Sequence, residues 1–590
     1  MPRAILPAQD RFSALDRVFA RFLTDQSGGV DPLLALCAAL TSRAVGEGDS
    51  CLPLAPLAGK PWPPDEAPGR GFFFPELPEI VRRLSATGQV GAPGDFRPLI
   101  LTSSGRLYLH RFFEYESAVA RALLSRCRKP PGYAAENMQQ YLAELFPPGD
   151  PRTSVQQREA ATAAAASLFS VVTGGPGTGK THTAARIIAL LLLADPGRRI
   201  LLSAPTGKAA ARLSESLGRA ACSLALPAPV AERFPLEAAT IHRLLGAKGR
   251  GSGFAHDSQN PLAADTVLVD EASMVDLPLM FSLVSALPPD CRLILLGDRD
   301  QLSSVEPGSV FSDICGGTAA AGRGLAGAIT VLTENFRFPE DSGIHRLARL
   351  VLEGRDREAL DLLREDRRAD LAWVDASDPE ALSRKLGEEA LSGYARHLAA
   401  ASPGEMLAAR EDFVVLAAVR RGPLGLLRAN EFLTALFARN NLLRPGVGAF
   451  FHARPLLVTV NDYAAGLLNG DMGCVFGNAA YFPSREEEPR RFAAALLPSH
   501  ETAWAITVHK AQGSEFDTVF VLLPENPSPV ATRELLYTAV TRARRRVVVA
   551  ASPASFSAAV TNRARRSSGL GEALWAGPAP ESANEESQLP

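Results

Sequence analysis

From about residue 168 to residue 335, runs of branched aliphatic residues alternate with helix-length amphipathic stretches. LFSVVTG (168–174), RILLSAP (199–205), TVLVDE (266–271), CRLILLGD (291–298) and AITVLTE (328–334) are near-continuously apolar instead of alternating. Such runs suit parallel strands covered on both faces. Helix starts lie between them: Thr206 stands ahead of GKAAARL, where its hydroxyl can cap free backbone N–H groups. A second series, FVVLAAV (413–419), PLLVTV (455–460), FDTVFVLL (516–523) and RRVVVAA (545–551), predicts another such region between about 340 and 560. The expected fold class is α/β, with two doubly wound parallel sheets.

Residues 1–128 read as mainly helical. Proline clusters at Lys129-Pro130-Pro131-Gly132 and Pro147-Pro148-Gly149-Asp150-Pro151 then mark a boundary. The expected division is an N-terminal domain over 1–130, a linker over 131–152, a first lobe over 153–338 and a second over 339–565. A disordered tail is expected over 566–590, ending in the polar run GPAPESANEESQLP.

Composition narrows the classes. A chain of 590 residues holds several cores. Its longest apolar runs, such as 187–194, fall short of the roughly 20 residues that cross a bilayer. The N-terminus lacks the order of a signal peptide, so a cytoplasmic protein is expected. Seven cysteines without a CxxC pair predict buried, reduced thiols and no zinc or iron–sulfur site. A net charge of −2 excludes a wholly basic surface, so any nucleic-acid contact must be a local groove.

The strongest chemical signal is Gly174-Gly175-Pro176-Gly177-Thr178-Gly179-Lys180-Thr181, between a strand run and a helix run. It fits GxxxxGK[ST], in which glycines turn backbone N–H groups onto phosphate oxygens. Lys180 would reach the β and γ phosphates and Thr181 would ligate Mg²⁺. Downstream, an apolar strand ends in Asp270 and Glu271, where a nucleotide's metal sits at the carboxyl end of a parallel sheet. Asp270 would hold Mg²⁺ and Glu271 would polarise the attacking water. Gln301 in GDRDQL is placed to sense the γ phosphate. Asp298 and Asp300 offer no nuclease centre, because no further acidic and lysine cluster accompanies them. Arg337 and Arg542 carry planar charge suited to a transferring phosphoryl group. Taken singly, each has a plainer role: Arg337 as partner of Glu334, Arg542 as one surface charge beside Arg544, Arg545 and Arg546. Gln157 is either a reader of the adenine edge or a solvated helix glutamine.

The ordered series GGPGTGKT, APTGKAA, TIHRLL, VDEAS, GDRDQL, ENFR, TVHKAQGSEFD and YTAVTRAR resembles the serial motifs of superfamily 1 helicases across roughly residues 155–550. VTVNDY followed by LNGDMG, and AALTSR leading to GEGDSCL, are similar to the RecD group, the alpha subunit of bacterial exonuclease V. That resemblance implies two RecA-like lobes with ATP in the cleft between them, and places strand-binding elements at Pro205, Thr206, Thr240, His242, Thr507, His509 and Gln512. Phe451 and Tyr463 are either stacking or core residues. It further implies an N-terminal domain that docks on a RecC-like subunit, a RecB-like partner carrying the nuclease in a heterotrimer, and 5′-to-3′ movement on DNA. A small hairpin insert is expected at about 246–261 and an SH3-like remnant at about 470–505. The competing expectations are a stand-alone helicase and a nucleotide-gated assembly subunit with little motor activity. Intact Lys180, Glu271, Gln301 and Arg542 argue against the latter.

Overall fold

The computed structural model describes residues 6–575 except 7–8, 29–30, 66–70, 129–136, 151–152, 249–252, 318–324, 340, 366–368, 444–449, 463 and 485–487. Two parallel sheets form the centre of the molecule. In the first, the strands run in the order Ile329–Leu332, Phe169–Gly174, Arg292–Gly297, Thr266–Val269, Ile200–Ala204, Ala238–Thr240. All five of its pairings are parallel. Alternate side chains of each strand enter two different cores: Val172, Leu202, Leu268 and Ile294 on one face, Phe169, Val171, Val267 and Leu293 on the other. Period-two burial on both faces is why these runs are apolar throughout.

The second sheet orders Leu371–Asp375, Ala543–Ala551, Phe516–Leu522, Phe413–Ala417 and Ala505–Thr507, again all parallel. It too is covered on both faces, by Val414, Val519 and Val547 on one side and Val415, Phe520 and Val548 on the other. PLLVTV (455–460) does not join this sheet. Its strand Pro455–Val458 belongs to a separate antiparallel sheet with Arg490–Ala493, Ala479–Phe482, Met472–Phe476 and His500–Thr502. That subdomain has its own core of Leu456, Val458, Leu467, Val475, Ala480 and Phe482. The expected remnant at 470–505 is therefore a complete five-stranded unit that starts earlier. Its strands of three to five residues are too short to pattern visibly.

In the N-terminal region, Ser13 and Asp16 form a reciprocal cap on helix Ala14–Gln26, and Asp31 caps Pro32–Gly46. A four-stranded sheet, Cys51–Pro53, Arg106–Leu109, Leu99–Leu101, Val90–Gly91, is added to these helices. Helix His110–Arg128 shares a core with the first lobe, in which Val119 and Leu123 join Met280 and Leu283. Within the expected linker, helix Met138–Leu145 packs Leu142 and Leu145 against the first lobe's core beside Leu191.

The expected tail at 566–590 needs correction over 566–575. Helix Leu570–Trp575 buries Leu570 and Leu574, and the Trp575 indole N–H donates to the Asp313 carbonyl at 3.1 Å. Ahead of it, Ser50 N–H donates to the Ser567 carbonyl, and Ser568 and Gly569 donate to the buried Glu116 carboxylate. Apolar residues at 570 and 574, one helical turn apart, carry this packing. Residues 576–590 lie outside the described part. The hairpin insert is a single antiparallel bridge, Ala247 to Phe254, with 249–252 outside the described residues. Five cysteines are buried, but Cys222 is exposed. Among the described residues no helix is long and apolar enough to cross a membrane.

Candidate functional site

Strand Phe169–Gly174 delivers the glycine-rich loop and helix Lys180–Ala194 leaves it. Gly177 and Gly179 both adopt left-handed backbone, φ 83° and 82°. A Cβ on Gly177 would come within 2.5 Å of the Arg337 Cβ. The loop thus needs glycine for its turn and for the close approach of the next segment. Lys180 Nζ donates to the Gly174 and Gly175 carbonyls at 2.7 and 3.1 Å.

Gly177, Gly179, Lys180 and Thr181 line a cavity of about 550 Å³ together with Asp270, Glu271 and Gln301. Its opposite wall is Arg542 and Glu515 from the second lobe, with Phe336 and Arg337 from the connection between lobes. Asp270 is half-buried, and desolvation first, then the Glu271 carboxylate, push its pKa up. Glu271 has φ 51°, a conformation that non-glycine residues adopt at a cost of roughly 1–3 kcal/mol. Gln301 is buried and donates to Asp298 at 3.1 Å, while its Oε1 has no partner among the described residues.

Two sets of contacts cross the cleft. In the first, the Leu302 N–H donates to Thr538 Oγ1 at 3.0 Å, Gln512 Nε2 donates to the Leu302 carbonyl at 2.9 Å, and Tyr537 donates to Asp298 at 3.0 Å. In the second, Glu515 accepts from Arg337 at 2.6 Å and pairs with Arg212 on helix Gly207–Cys222. Burial alone would raise the Glu515 carboxyl, but the two guanidiniums hold it down to about 2. Arg542 is 2% exposed and donates to the Thr538 and Ser514 carbonyls at 3.3 Å. Neither arginine plays its plainer role: Arg542 is not a surface charge, and Arg337 pairs with Glu515, not Glu334.

Gln157 is fully buried, so it is not a solvated glutamine. Its Nε2 donates to the Thr178 carbonyl at 3.3 Å from beneath the loop, and its Oε1 has no partner among the described residues. The strand-binding candidates divide. Ala204 pairs with Thr240 in the sheet, so Pro205-Thr206 and Ile241-His242 leave the same edge together. The Thr206 and Thr240 hydroxyls cap the helices that follow, and His242 is exposed. Thr507 ends the edge strand of the second sheet, and His509 lies half-buried in the turn after it. Gln512 departs from this group, since it is 7% exposed with its amide engaged by Leu302. Phe451 packs against the second lobe's core, and Tyr463 lies outside the described residues.

Sequence reasoning assigned no role to Arg212, Phe336, Glu515 or Tyr537. All but Arg212 stood inside quoted motifs, where an aromatic or acidic residue has no visible partner until the lobes face each other. Phe336 is 42% exposed and its ring borders the loop beside Gly179.

Three family models match the chain: the N-terminal domain of the RecBCD enzyme subunit RecD over residues 8–108, an AAA domain over 157–307, and a UvrD-like helicase C-terminal domain over 502–550. The RecBCD enzyme subunit RecD of Mycobacterium tuberculosis is 38% identical over 573 residues, 93% of each protein. An ATP-dependent RecD2 DNA helicase of Deinococcus radiodurans is 32% identical over 80% of this chain and 59% of that protein. Among solved structures, the Pif1 helicase from Candida albicans aligns with 68% of this chain and 94% of that one, at 15% identity and a TM-score of 0.37.

Proposed function

The chain belongs to the RecD family, and on that premise we propose that it is the ATP-driven DNA helicase subunit of a RecBCD-type complex, moving 5′ to 3′ on one strand of a duplex end. The observation that carries this reading is the cavity in which Lys180, Glu271 and Gln301 of one lobe face Arg542 of the other. A phosphoryl group bound there touches both lobes, so its loss changes what holds them together.

Within that cavity Lys180 and the loop N–H groups bind phosphate oxygens, and Glu271 orients and deprotonates the attacking water. Arg337 and Arg542 stabilise the charge that spreads over the transferring group. The unpartnered Gln301 Oε1 accepts from the water or a phosphate-bound proton. Phe336 stacks on the base, since its exposed ring borders the loop. Thr181 and Asp270 would hold Mg²⁺: a hydroxyl and a half-buried carboxylate lining one cavity are the hard oxygen donors this ion takes. When bound, the ion neutralises charge on the β and γ phosphates.

The strand lies along the edge marked by Thr206, Thr240, His242, Thr507 and His509, touching mainly backbone, so sequence preference is weak. Partner docking falls to the N-terminal domain. Leu15, Val18 and Phe22, spaced at one helical face of Ala14–Gln26, are 73%, 65% and 56% exposed. An apolar stripe of this kind suits burial against a RecC-like subunit.

Unwinding of duplexes carrying a 5′ or a 3′ single-stranded tail tests the proposal, with Lys180→Gln as the control that abolishes ATP-driven activity. Opening of the 5′-tailed duplex alone is expected. Opening of the 3′-tailed duplex alone would overturn the direction.

A further inference from the structure

On the far side of Gln301 from the loop lies a second cavity of about 710 Å³, bordered by Arg299, Arg533, Arg563, Arg566 and His509. Two carboxylates, Asp300 and Glu534, also line it, so four guanidiniums stand against two acids. Arg299 is 3.8 Å from Asp300. Arg533 and Arg566 instead direct their donors to main-chain carbonyls. Arg533 donates to Val560 and Leu352 at 2.8 and 3.1 Å, and Arg566 to Glu306, Gly308 and Ser304 at 2.9, 3.1 and 2.5 Å.

Carbonyl bonds fix the direction of a guanidinium without cancelling its charge. A guanidinium has five N–H donors, so both side chains keep donors in reserve. Burial lowers the pKa of both, for Arg533 with help from Arg563, and the nearby Glu534 and Asp49 carboxylates offset this only in part. Among the described residues Arg563 forms no ion pair and is exposed at the rim.

The cavity is built for phosphate and not for a base. Among the described residues no Phe, Tyr or Trp lines it, and its two glycines, Gly316 and Gly317, follow a helix and not a strand. Its position is equally informative: His509 follows Thr507 at the strand-binding edge, and Arg566 is close enough to depress the His509 pKa further after burial has lowered it. We propose that this cavity receives phosphodiester groups of the single strand, extending the DNA path past His509 into a pocket walled by the C-terminal end of the second lobe. The inference rests on the reading of the chain as a motor on single-stranded DNA. It assigns Arg299, Arg533, Arg563 and Arg566 as backbone contacts.

The test is the salt dependence of oligo(dT) binding to the full chain, for the wild type, Arg563→Gln, Arg299→Gln and the double variant, with nucleotide binding measured alongside. Each phosphate contact removed should lower the slope of log affinity against log salt by about 0.7. Arg545→Gln, an exposed arginine outside the cavity, is the control and should leave the slope unchanged. An unchanged slope in the cavity variants, or an equal fall in the control, overturns the proposal. So does a loss of nucleotide affinity with the slope intact, which would mark a second nucleotide site. A wild type that binds no oligo(dT) would instead defeat the motor reading itself, and the two failures are told apart by that measurement.

Discussion

Arg337 and Glu515, 178 residues apart in the chain, meet at 2.6 Å across the cleft, and Arg212 joins them from the first lobe. A carboxylate in a cavity that must accept a triphosphate opposes the charge it is to bind. Glu515→Gln should tighten ADP binding roughly five-fold, about 1 kcal/mol, measured by fluorescence titration. Weaker binding would mean that Glu515 contacts the nucleotide directly.

Glu271→Gln keeps the shape of the cavity and removes the base. ATP hydrolysis should fall by at least about 100-fold while nucleotide affinity stays within about three-fold of wild type. A parallel loss of affinity, seen by equilibrium titration, would move Glu271 from the water to the phosphates.

Gly177→Ala places a side chain at φ 83° and against Arg337. The strain costs about 1–2 kcal/mol, and the displaced Arg337 loses its hold on Glu515. A lower unfolding midpoint and a weakened ATPase should therefore appear together.

The motif-bearing strands were legible because a strand buried on both faces must be apolar at every position, as at 293–296. The loop was legible because its chemistry is local. Contacts between distant segments were not. Nothing in the residues around Gln512 indicates that its amide turns to Leu302 instead of to a DNA strand, and nothing near Glu515 names Arg212 as its partner. The five-stranded subdomain was legible only as a remnant at 470–505, and its start at Pro455 was missed, because its strands are short and carry arginines, as in Arg490–Ala493.

Asp313 gives a pH prediction. Burial pushes its pKa up to about 7, and its Oδ2 has no partner among the described residues. The folded state then holds a proton that the unfolded chain releases near 3.8. This contribution is full below that value and lost as pH rises through 7. Stability should decline between pH 4 and 7 by up to about 1.4 kcal/mol per pH unit from this group, and Asp313→Asn should flatten the decline in urea titrations.

The stripe on helix Ala14–Gln26 is testable without touching the motor. Val18→Asp with Phe22→Asp should abolish co-purification with the RecC-like subunit. The unfolding midpoint of the isolated chain should barely move, since both side chains face outward.

The bonds that join Ser50 to the Ser567 carbonyl, and Ser568 and Gly569 to Glu116, have a consequence for synthesis. A ribosome makes the N-terminal domain first, yet Glu116 is buried with Ser50, Tyr108, Ser568 and Gly569 as its donors, and two of those four emerge last. The first domain to be made is thus the last to be finished. A chain that stops before residue 567 would leave a buried acid short of two donors and uncover the apolar seam that Leu570 and Leu574 close.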